Sequence, residues 1–318
     1  MISIICPVFN ESKNIESVLK FFIQSLPIDK ELLIIDGGSS DDTKIIIKKW
    51  QKNYQNIKLF DNPHKTVPFA LNIGVKNSIG DPIIRIDAHT EYPSDYFEKI
   101  IETFNKTGAD IVGGPTRIAD GSNFQNAIGI VILNPFGIGN SKVHDISFEG
   151  FTDHVTFGAW KKSIFKDIGY FDERLTRNQD DEFHYRAKSL GKKIFQSPEI
   201  KLWYYPRNSL IALFYQYFQY GYFKPLVLFK VPSEIKLRHY IPSIFSIYIL
   251  TLFLTFFSIY YLIPLFVYLI IIFSISIMYS TNIKVMLYVP LVFSTIHISY
   301  GSGFFLRLLS YLIGKNNG

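Results

Sequence analysis

Ile83-Ile84-Arg85-Ile86-Asp87-Ala88-His89 is a short apolar stretch that ends on a carboxylate and an imidazole. It follows the turn signal Gly80-Asp81-Pro82, so it predicts a buried strand. Residues i and i+2 of a strand point to the same side, so Asp87 and His89 can bind one target. Carboxylate oxygen suits Mg²⁺ or Mn²⁺, and imidazole suits Mn²⁺. The stretch therefore indicates a divalent-metal site; taken alone, it could equally be a polar strand end that faces solvent.

Apolar strands alternate with amphipathic helices around this stretch. Strands are predicted at 3–8, 31–35 and 57–60, and helices at 12–25, 41–50 and 68–77. This alternation predicts an α/β fold, an open and mostly parallel sheet with helices on both faces. Ligands of such sheets bind outside the carboxyl ends of the strands. Polar clusters follow those ends at 7–11, 36–42 and 87–89, so we expect them to share one edge, although each alone is compatible with a turn.

The next hundred residues continue the pattern with a helix at 94–106 and strands at 111–115 and 155–160. Residues 116–150 are rich in glycine and asparagine, which favours a mobile loop over the site. Three successive acids, Asp180, Asp181 and Glu182, then begin a helix. Acids at a helix start interact favourably with its dipole, but one of them could also be a general base. The residues alone do not choose among the three.

The C-terminal third is apolar and aromatic. Residues 206–229 predict an amphipathic helix at a membrane interface, broken near Gly221 and Pro225; a plain buried helix is the alternative. Residues 241–280 contain no charged side chain, enough for two membrane spans joined near Pro264. A third apolar stretch at 285–306 is either a span or a re-entrant piece. We therefore expect a catalytic domain at 1–205, an interfacial segment at 206–240, and a membrane domain of two to three helices at 241–318.

Charge and cysteine content indicate the partners of the protein and the cellular compartment in which it folds. The net charge of +6 is too moderate for a nucleic-acid partner, and the single Cys6 lies in an apolar run that predicts a buried thiol. The first residues lack a signal-peptide pattern, so the N-terminal domain is expected in the cytoplasm. Between residues 200 and 240, Glu234 is the only acidic residue and basic residues are in excess. An anionic cytoplasmic leaflet attracts such a basic segment. The basic residues of this segment are Lys201, Arg207, Lys224, Lys230, Lys236 and Arg238.

Six spaced motifs over about residues 2–230 resemble glycosyltransferase family 2, the inverting enzymes with the GT-A (Rossmann-like) fold, and more narrowly its membrane-anchored branch that builds succinoglycan and other exopolysaccharides. The motifs are Pro7-Val8-Phe9-Asn10-Glu11 for P-x-x-N-E, Asp36-Gly37-Gly38-Ser39-Ser40-Asp41 for the nucleotide-base loop, Ala70-Leu71-Asn72-Ile73-Gly74 with Gly80-Asp81, Asp87-Ala88-His89 for D-x-D, Asn178-Gln179-Asp180 for N-E-D, and Gln216-Tyr217-Phe218-Gln219-Tyr220 for Q-x-x-R-W. Gln179, Gln219 and Tyr220 depart from the family pattern, and the last two argue against a processive synthase.

The resemblance implies a nucleotide-sugar-binding domain, followed by transmembrane helices, on the cytoplasmic face of the cytoplasmic membrane. It implies a nucleotide-diphosphate sugar donor, most often a UDP-sugar, and a lipid-linked (polyprenyl) saccharide acceptor in exopolysaccharide, capsule or cell-surface glycan synthesis. Asp180 would be the catalytic base, while Asp87 and His89 would hold Mn²⁺ or Mg²⁺. Donor-binding residues would be Pro7, Phe9, Asn10, Glu11, Asp36, Gly38, Ser39, Lys65, Asn72, Arg85 and Asp87. Acceptor-side residues would be Asp181, Glu182, Gln216 and Gln219.

Two other functions compete with this interpretation. A nucleotidyltransferase-like enzyme would need a glycine-rich, lysine-bearing phosphate loop after the first strand, and residues 7–11 do not form one. A non-catalytic membrane scaffold with a vestigial nucleotide fold could dispense with Asp87 or Asp180. Both residues are present, so the enzyme interpretation is favoured.

Overall fold

The computed structural model of this chain describes residues 1–139 and 142–314. Within them, contacts define two compact units. The first contains residues 1–117 and 142–204, and the second contains residues 118–139 and 205–314. The second unit thus takes in residues 118–139, which lie inside the predicted catalytic domain 1–205. The division at 205 and 240 stays a prediction.

The first unit is built on an eight-stranded, mostly parallel mixed sheet in the order β3-β2-β1-β4-β9-β6-β10-β8. The described strands are β1 Ile2–Val8, β2 Lys30–Asp36, β3 Ile57–Asp61, β4 Ile83–Arg85, β5 Thr90–Glu91, β6 Ile111–Gly113, β7 Thr116–Ile118, β8 Gly150–Phe151, β9 Ala159–Trp160, β10 Ile194–Gln196 and β11 Leu202–Tyr204. β1 pairs in parallel with β2 and β4, and β2 with β3. β9 is antiparallel to β4 and β6, and β8 is antiparallel to β10. A smaller sheet has the order β5-β11-β7.

Alternate residues of the central strands face two separate hydrophobic cores, as the period of two in a strand requires. In β1, Ile4 belongs to one core and Ile5 to the other; in β4 the same holds for Ile84 and Ile83. The described helices are α1 Ile15–Gln24, α2 Thr43–Gln51, α3 Val67–Asn77, α4 Tyr96–Thr107, α5 Asn123–Leu133, α6 Pro135–Ile138, α7 Ile164–Ile168, α8 Gln179–Ser189, α9 Leu210–Lys230, α10 Ile241–Leu250, α11 Ile263–Tyr279 and α12 Ile283–Leu312. Because α1 packs in the first core and α3 in the second, the predicted arrangement of helices on both faces is confirmed.

Two predictions between residues 116 and 160 are wrong. The predicted mobile loop contains helix α5, because Ser122 and Gln125 form a capping box and Phe124 and Ile128 are buried. Asn140 and Ser141, also within that prediction, lie outside the described residues. The predicted strand at 155–160 is reduced to Ala159–Trp160. Phe157 and Gly158 have φ angles of 55° and 80°, which a strand cannot accommodate.

The predicted break of the aromatic helix near Gly221 and Pro225 is also wrong, because α9 is continuous through both residues. A Cβ at Gly221 would lie 2.0 Å from the Tyr300 carbonyl oxygen, so glycine permits α9 and α12 to pack closely. Gly303 has the same role from α12, where a Cβ would lie 2.2 Å from the Phe218 carbonyl oxygen. Helix packing therefore compensates for residues that weaken an isolated helix.

The apolar C-terminal stretch divides just before Pro264, near the predicted place, but its first half is not one helix of spanning length. It forms the short helix α10, two 3₁₀ turns, and α11, whose first turn contains Pro264. Proline is tolerated there because the first helical N–H groups have no intrahelical acceptor. The third apolar stretch lies within the continuous 30-residue helix α12. Among the described residues, the helices at Ile259–Tyr279 and Ile283–Leu312 are long and apolar enough to cross a membrane.

Candidate active site

Three polar clusters meet at the carboxyl edge of β1, β2 and β4. The Asn10 backbone N–H donates to the Ser39 hydroxyl over 2.8 Å, and the Ser40 N–H donates to the Asn10 side-chain oxygen over 2.9 Å. These bonds join the loop after β1 to the loop after β2. His89 Nδ1 lies 3.1 Å from Glu11 Oε1, which joins the loop after β1 to the segment after β4. The parallel strands have placed their polar ends together.

The loop after β1 is tied further to the start of α2. The Glu11 N–H donates to the Thr43 hydroxyl over 2.8 Å, and the Ser12 N–H donates to Asp41 Oδ2 over 3.0 Å. Hydrogen bonds from Thr43 and Ser12 hold the pKa of Asp41 well below its usual value, so this carboxylate is charged. Upstream, Pro7 pairs with Ile35 across β1 and β2. The loop is therefore held in place before any ligand binds.

Asp36, at the end of β2, is fully buried. Its Oδ2 accepts hydrogen bonds from the N–H groups of Gly38 and Ser39, at 2.9 and 3.0 Å, and lies 3.3 Å from Lys44 Nζ. Its Oδ1 is buried and has no hydrogen-bond partner among the described residues. A buried acceptor without a donor is costly, so this oxygen marks a place for a ligand N–H.

Phe9 and Lys65 lie beside the loop that follows Asp36 and contains Gly37 and Gly38. Gly38 has φ 84°, a conformation that glycine adopts without strain, and a Cβ there would lie 3.5 Å from Lys65 Cε. A Cβ on Gly37 would lie 3.5 Å from the ring of Phe9, which is 53% exposed. Both side chains therefore lie next to the backbone that holds Asp36.

Arg85 forms a two-pronged ion pair with Asp87. Its Nε donates to Oδ1 over 2.9 Å and its Nη2 donates to Oδ2 over 3.1 Å, and Arg85 is 6% exposed. Burial by itself would lower the pKa of Arg85, but the charges of Asp87 and then Asp180 raise it. The guanidinium is therefore charged and close enough to Asp180 to interact with it. This geometry fixes the orientation of the Asp87 carboxylate, and the predicted donor-binding role of Arg85 stays a prediction.

Asp87 and His89 fit part of a metal site. No group of three or more His, Cys, Asp and Glu among residues 1–139 and 142–314 could hold a metal alone. A carboxylate and an imidazole nevertheless suit Mn²⁺ when substrate phosphate oxygens complete the shell. Because Glu11 engages Nδ1 of His89, ligation would go through Nε2, and the carboxylate would orient the ring. Burial alone would raise the pKa of Glu11, but bonds from His89 and Asn14 lower it, so Glu11 is charged.

Asp180 and Asp181, in the first turn of α8, have different surroundings. The Asp181 N–H donates to Asp180 Oδ1 over 3.0 Å, and the Asp180 charge acts on Arg85. Asp181 Oδ1 instead lies 3.4 Å from His154 Nδ1, which is 2.8 Å from His184 Nδ1. Burial, and then His154, lowers the pKa of His184 well below its usual value, so His184 is neutral. The two aspartates are therefore distinguishable by their partners.

Two predicted ligand-binding residues have their polar groups engaged within the protein. Glu182 is fully buried and bonds Arg186, at 2.9 Å to Nε and 3.0 Å to Nη2. Asn72 is 3% exposed, donates to the Phe171 carbonyl and to Glu173 Oε1, both over 2.9 Å, and accepts from the Phe171 N–H. Their polar groups are engaged inside the protein. These bonds support the packing of α8 and the segment before it, and the binding roles of both residues stay predictions.

Gln216 and Gln219 lie on α9, in the second unit. Gln216 accepts a bond of 3.3 Å from Arg207 Nε and donates one of 3.0 Å to the Tyr220 hydroxyl. Their acceptor role stays a prediction.

Sequence reasoning missed Tyr92, Phe157, His154 and His184. The Tyr92 hydroxyl accepts a bond of 2.9 Å from the Asp87 N–H. The Phe157 ring centroid lies 5.0 Å from Arg85 Cζ. The two histidines are 30 residues apart, so no local spacing links them.

A model of glycosyl transferase family 2 matches residues 3–169 of this chain. Succinoglycan biosynthesis protein ExoA of Rhizobium meliloti is 34% identical over 221 residues, which are 69% of this chain and 67% of the relative. The Methanococcus voltae dolichyl N-acetyl-alpha-D-glucosaminyl phosphate 3-beta-D-2,3-diacetamido-2,3-dideoxy-beta-D-glucuronosyltransferase is 32% identical over 241 residues, 72% of this chain and 74% of the relative.

Solved structures share the fold. S. aureus TarS 1-349 superimposes with a TM-score of 0.55 at 14% identity, over 100% of this chain and 93% of that one. Mannosyltransferase PcManGT from Pyrobaculum calidifontis, in complex with GDP-Man and Mn²⁺, gives 0.53 at 14% identity, over 100% and 75%. At this identity the likeness concerns the fold alone, and it confirms the predicted α/β architecture.

Proposed function

Because this chain belongs to glycosyl transferase family 2, we propose that it moves a sugar, with inversion, from a UDP-sugar to a lipid-linked (polyprenyl) saccharide. Family membership makes it a glycosyltransferase of polysaccharide or glycan biosynthesis with the GT-A fold. One observation carries the donor proposal: at the sheet edge where the strand-end clusters meet, Asp36 Oδ1 is buried without a partner among the described residues. UDP and UDP-GlcNAc in structures of TarS support the same class of donor.

The acceptor proposal has separate support. The Methanococcus voltae relative carries a dolichyl-linked sugar phosphate in its name, and the Rhizobium meliloti relative is a succinoglycan biosynthesis protein. A lipid-linked saccharide is the substrate class that suits an enzyme held at a membrane. The product would be a lipid-linked glycan one sugar longer.

In the proposed donor site, Asp36 Oδ1 accepts an N–H from the nucleotide base, since this oxygen is the buried acceptor that lacks a donor. Residues 7–11 border the nucleotide, and Lys65, next to Gly38, faces the diphosphate. Asp87 and His89 would hold Mn²⁺ or Mg²⁺ together with diphosphate oxygens. When bound, such an ion neutralises charge on the leaving group.

In the proposed reaction, Asp180 takes the proton of the acceptor hydroxyl. The acceptor oxygen then bonds to the anomeric carbon from the face opposite the diphosphate. The bond between that carbon and the diphosphate oxygen breaks, and the diphosphate keeps the electron pair. The configuration at the anomeric carbon inverts because attack and departure are on opposite faces. Arg85 holds the carboxylate of Asp87 in place through two hydrogen bonds.

Asp36→Asn is expected to weaken UDP binding about 10- to 100-fold, since a hydrogen bond to a charged group contributes about 1.5–3 kcal/mol. Isothermal titration with UDP measures the change. Asp61→Asn is the matched control, because Asp61 also pairs with Lys44 yet is 78% exposed. We expect the control to stay within about twofold of wild type. Equal losses in both variants would show that the Lys44 ion pair, rather than the buried Oδ1, determines nucleotide affinity.

We further propose that the second unit enters the cytoplasmic membrane, with the catalytic unit on the cytoplasmic face. Only 17% of the most apolar stretch of Ile259–Tyr279 is buried, against 44% of that of Ile283–Leu312. Large apolar side chains such as Phe266 and Ile270 are 58% and 65% exposed. Soluble proteins rarely expose apolar surface on this scale, so lipid is the expected neighbour.

Alkaline carbonate washing of membranes is expected to leave the full chain in the pellet. Release into the supernatant would contradict membrane-spanning helices. A reporter fused after Gly318 locates the C-terminus. With the catalytic unit inside and two spanning helices, we expect the reporter inside; an external reporter would require an odd number of spans.

A further inference from the structure

Phe157, Arg85 and Asp87 form a continuous series of contacts. The Phe157 ring centroid lies 5.0 Å from Arg85 Cζ, within the range of a cation–π interaction. Arg85 in turn bonds both oxygens of Asp87 and is 6% exposed. The aromatic ring therefore contacts the buried cation that holds the carboxylate of the D-A-H motif.

The backbone around Phe157 also contacts Arg85. Phe157 has φ 55°, in the left-handed region that residues with a Cβ rarely adopt, and Gly158 follows with φ 80°. The Gly158 carbonyl accepts a bond of 3.3 Å from the Arg85 N–H. A Cβ on Gly158 would lie 3.1 Å from the Trp160 ring. The turn at 156–158 therefore holds Arg85 through its main chain and its side chain at once.

We propose that Phe157 is a positioning residue for the metal motif; this inference depends on the proposed metal site at Asp87 and His89. Arg85 is buried and Phe157 is partly buried, and the attraction between a cation and an aromatic face grows as the two are removed from water. The guanidinium is planar with donors in fixed directions, so orienting it also orients the Asp87 carboxylate. Each carboxylate oxygen has two lone pairs, so Asp87 can accept from Arg85 and still ligate an ion.

The test is Mn²⁺ binding to the full chain in detergent with UDP present, with free Mn²⁺ measured by electron paramagnetic resonance. Phe157→Leu keeps an apolar side chain but lacks a ring; we expect its Mn²⁺ dissociation constant to rise about tenfold. Phe157→Tyr keeps the ring and is expected within about twofold of wild type. Phe151→Leu is the matched control, since Phe151 is a half-exposed residue of β8 that packs on Phe195.

Wild-type affinity in Phe157→Leu would overturn the inference, as would equal losses in the Leu and Tyr variants. If Phe157→Leu fails to fold, Phe157→Gly gives the same comparison, because glycine adopts φ 55° without strain and lacks the ring. An Asp87→Asn variant separates this inference from the proposed function. If it binds Mn²⁺ as wild type does, the metal site itself is wrong; if it alone loses Mn²⁺, only the role of Phe157 is wrong.

Discussion

Replacing Asp180 by asparagine is expected to lower turnover about 10²–10⁴-fold while leaving UDP binding unchanged, because a general base contributes that much to rate. Asparagine has the size of aspartate and can also cap a helix, but it cannot accept the acceptor's proton. Loss of a helix cap costs only about 1 kcal/mol of stability, so a capping role predicts little kinetic damage. Nucleotide release from a UDP-sugar with acceptor present measures turnover, and titration with UDP measures binding.

Asp181→Asn is the matched control for this change. Asp181 is in the same helical turn, but its carboxylate lies 3.4 Å from His154. Asp180 instead contributes to the electrostatic field at Arg85, next to the metal motif. We expect Asp181→Asn to lose far less turnover than Asp180→Asn. Equal turnover in the two variants would show that Asp180 is not the base.

Replacing Asp87 is expected to abolish metal-dependent transfer, with a loss on the order of 10³-fold, because a bound ion stabilises developing charge by several kcal/mol. Asp87→Asn is preferable to Asp87→Ala, because asparagine keeps the side-chain volume and one oxygen that can accept from Arg85. Either change removes the charge that pairs with the buried guanidinium. Such a broken pair costs about 3–5 kcal/mol of stability. Chelation should lower wild-type activity to the level of the variant, and added Mn²⁺ should restore the wild type alone.

Asp95→Ala controls for the loss of a carboxylate near the same strand, since Asp95 precedes α4, is exposed and makes no side-chain cap. Thermal melting should show that Asp87→Asn is folded. Full activity of Asp87→Asn after exhaustive chelation would contradict the metal role of the D-A-H motif.

The central sheet could be predicted because its signal is local. Ile4 and Ile5 face different cores, so both sides of β1 are apolar and the strand reads as a continuous apolar run. At Phe157 the local signal fails, since a β-favouring residue adopts φ 55° in a turn held by contacts with Arg85. Likewise, Gly221 weakens an isolated helix but permits the close approach of Tyr300 that supports α9.

The convergence of the candidate site was predictable for a similar reason, since parallel strands end at one edge. The individual side-chain partners were not. Asn72 bonds Phe171, 99 residues away, and the fully buried Glu182 pairs with Arg186. A motif identifies a residue type at a position. Only the packed structure shows that the polar groups of Asn72 and Glu182 form hydrogen bonds within the protein. The same limit concealed the Arg85–Asp87 pair, in which a predicted donor-binding residue orients a predicted metal ligand.

Sugar transfer into membrane lipid tests the proposed function most directly. Membranes containing the full chain would be incubated with a panel of labelled UDP- and GDP-sugars and then extracted with organic solvent. We expect label from at least one donor to enter the lipid extract with wild type, accompanied by release of the nucleoside diphosphate, and about a hundredfold less or lower with Asp180→Asn. Two results would contradict the proposed function. In the first, the wild type binds UDP but transfers label from no donor in the panel. In the second, the Asp180→Asn variant transfers label as well as the wild type does.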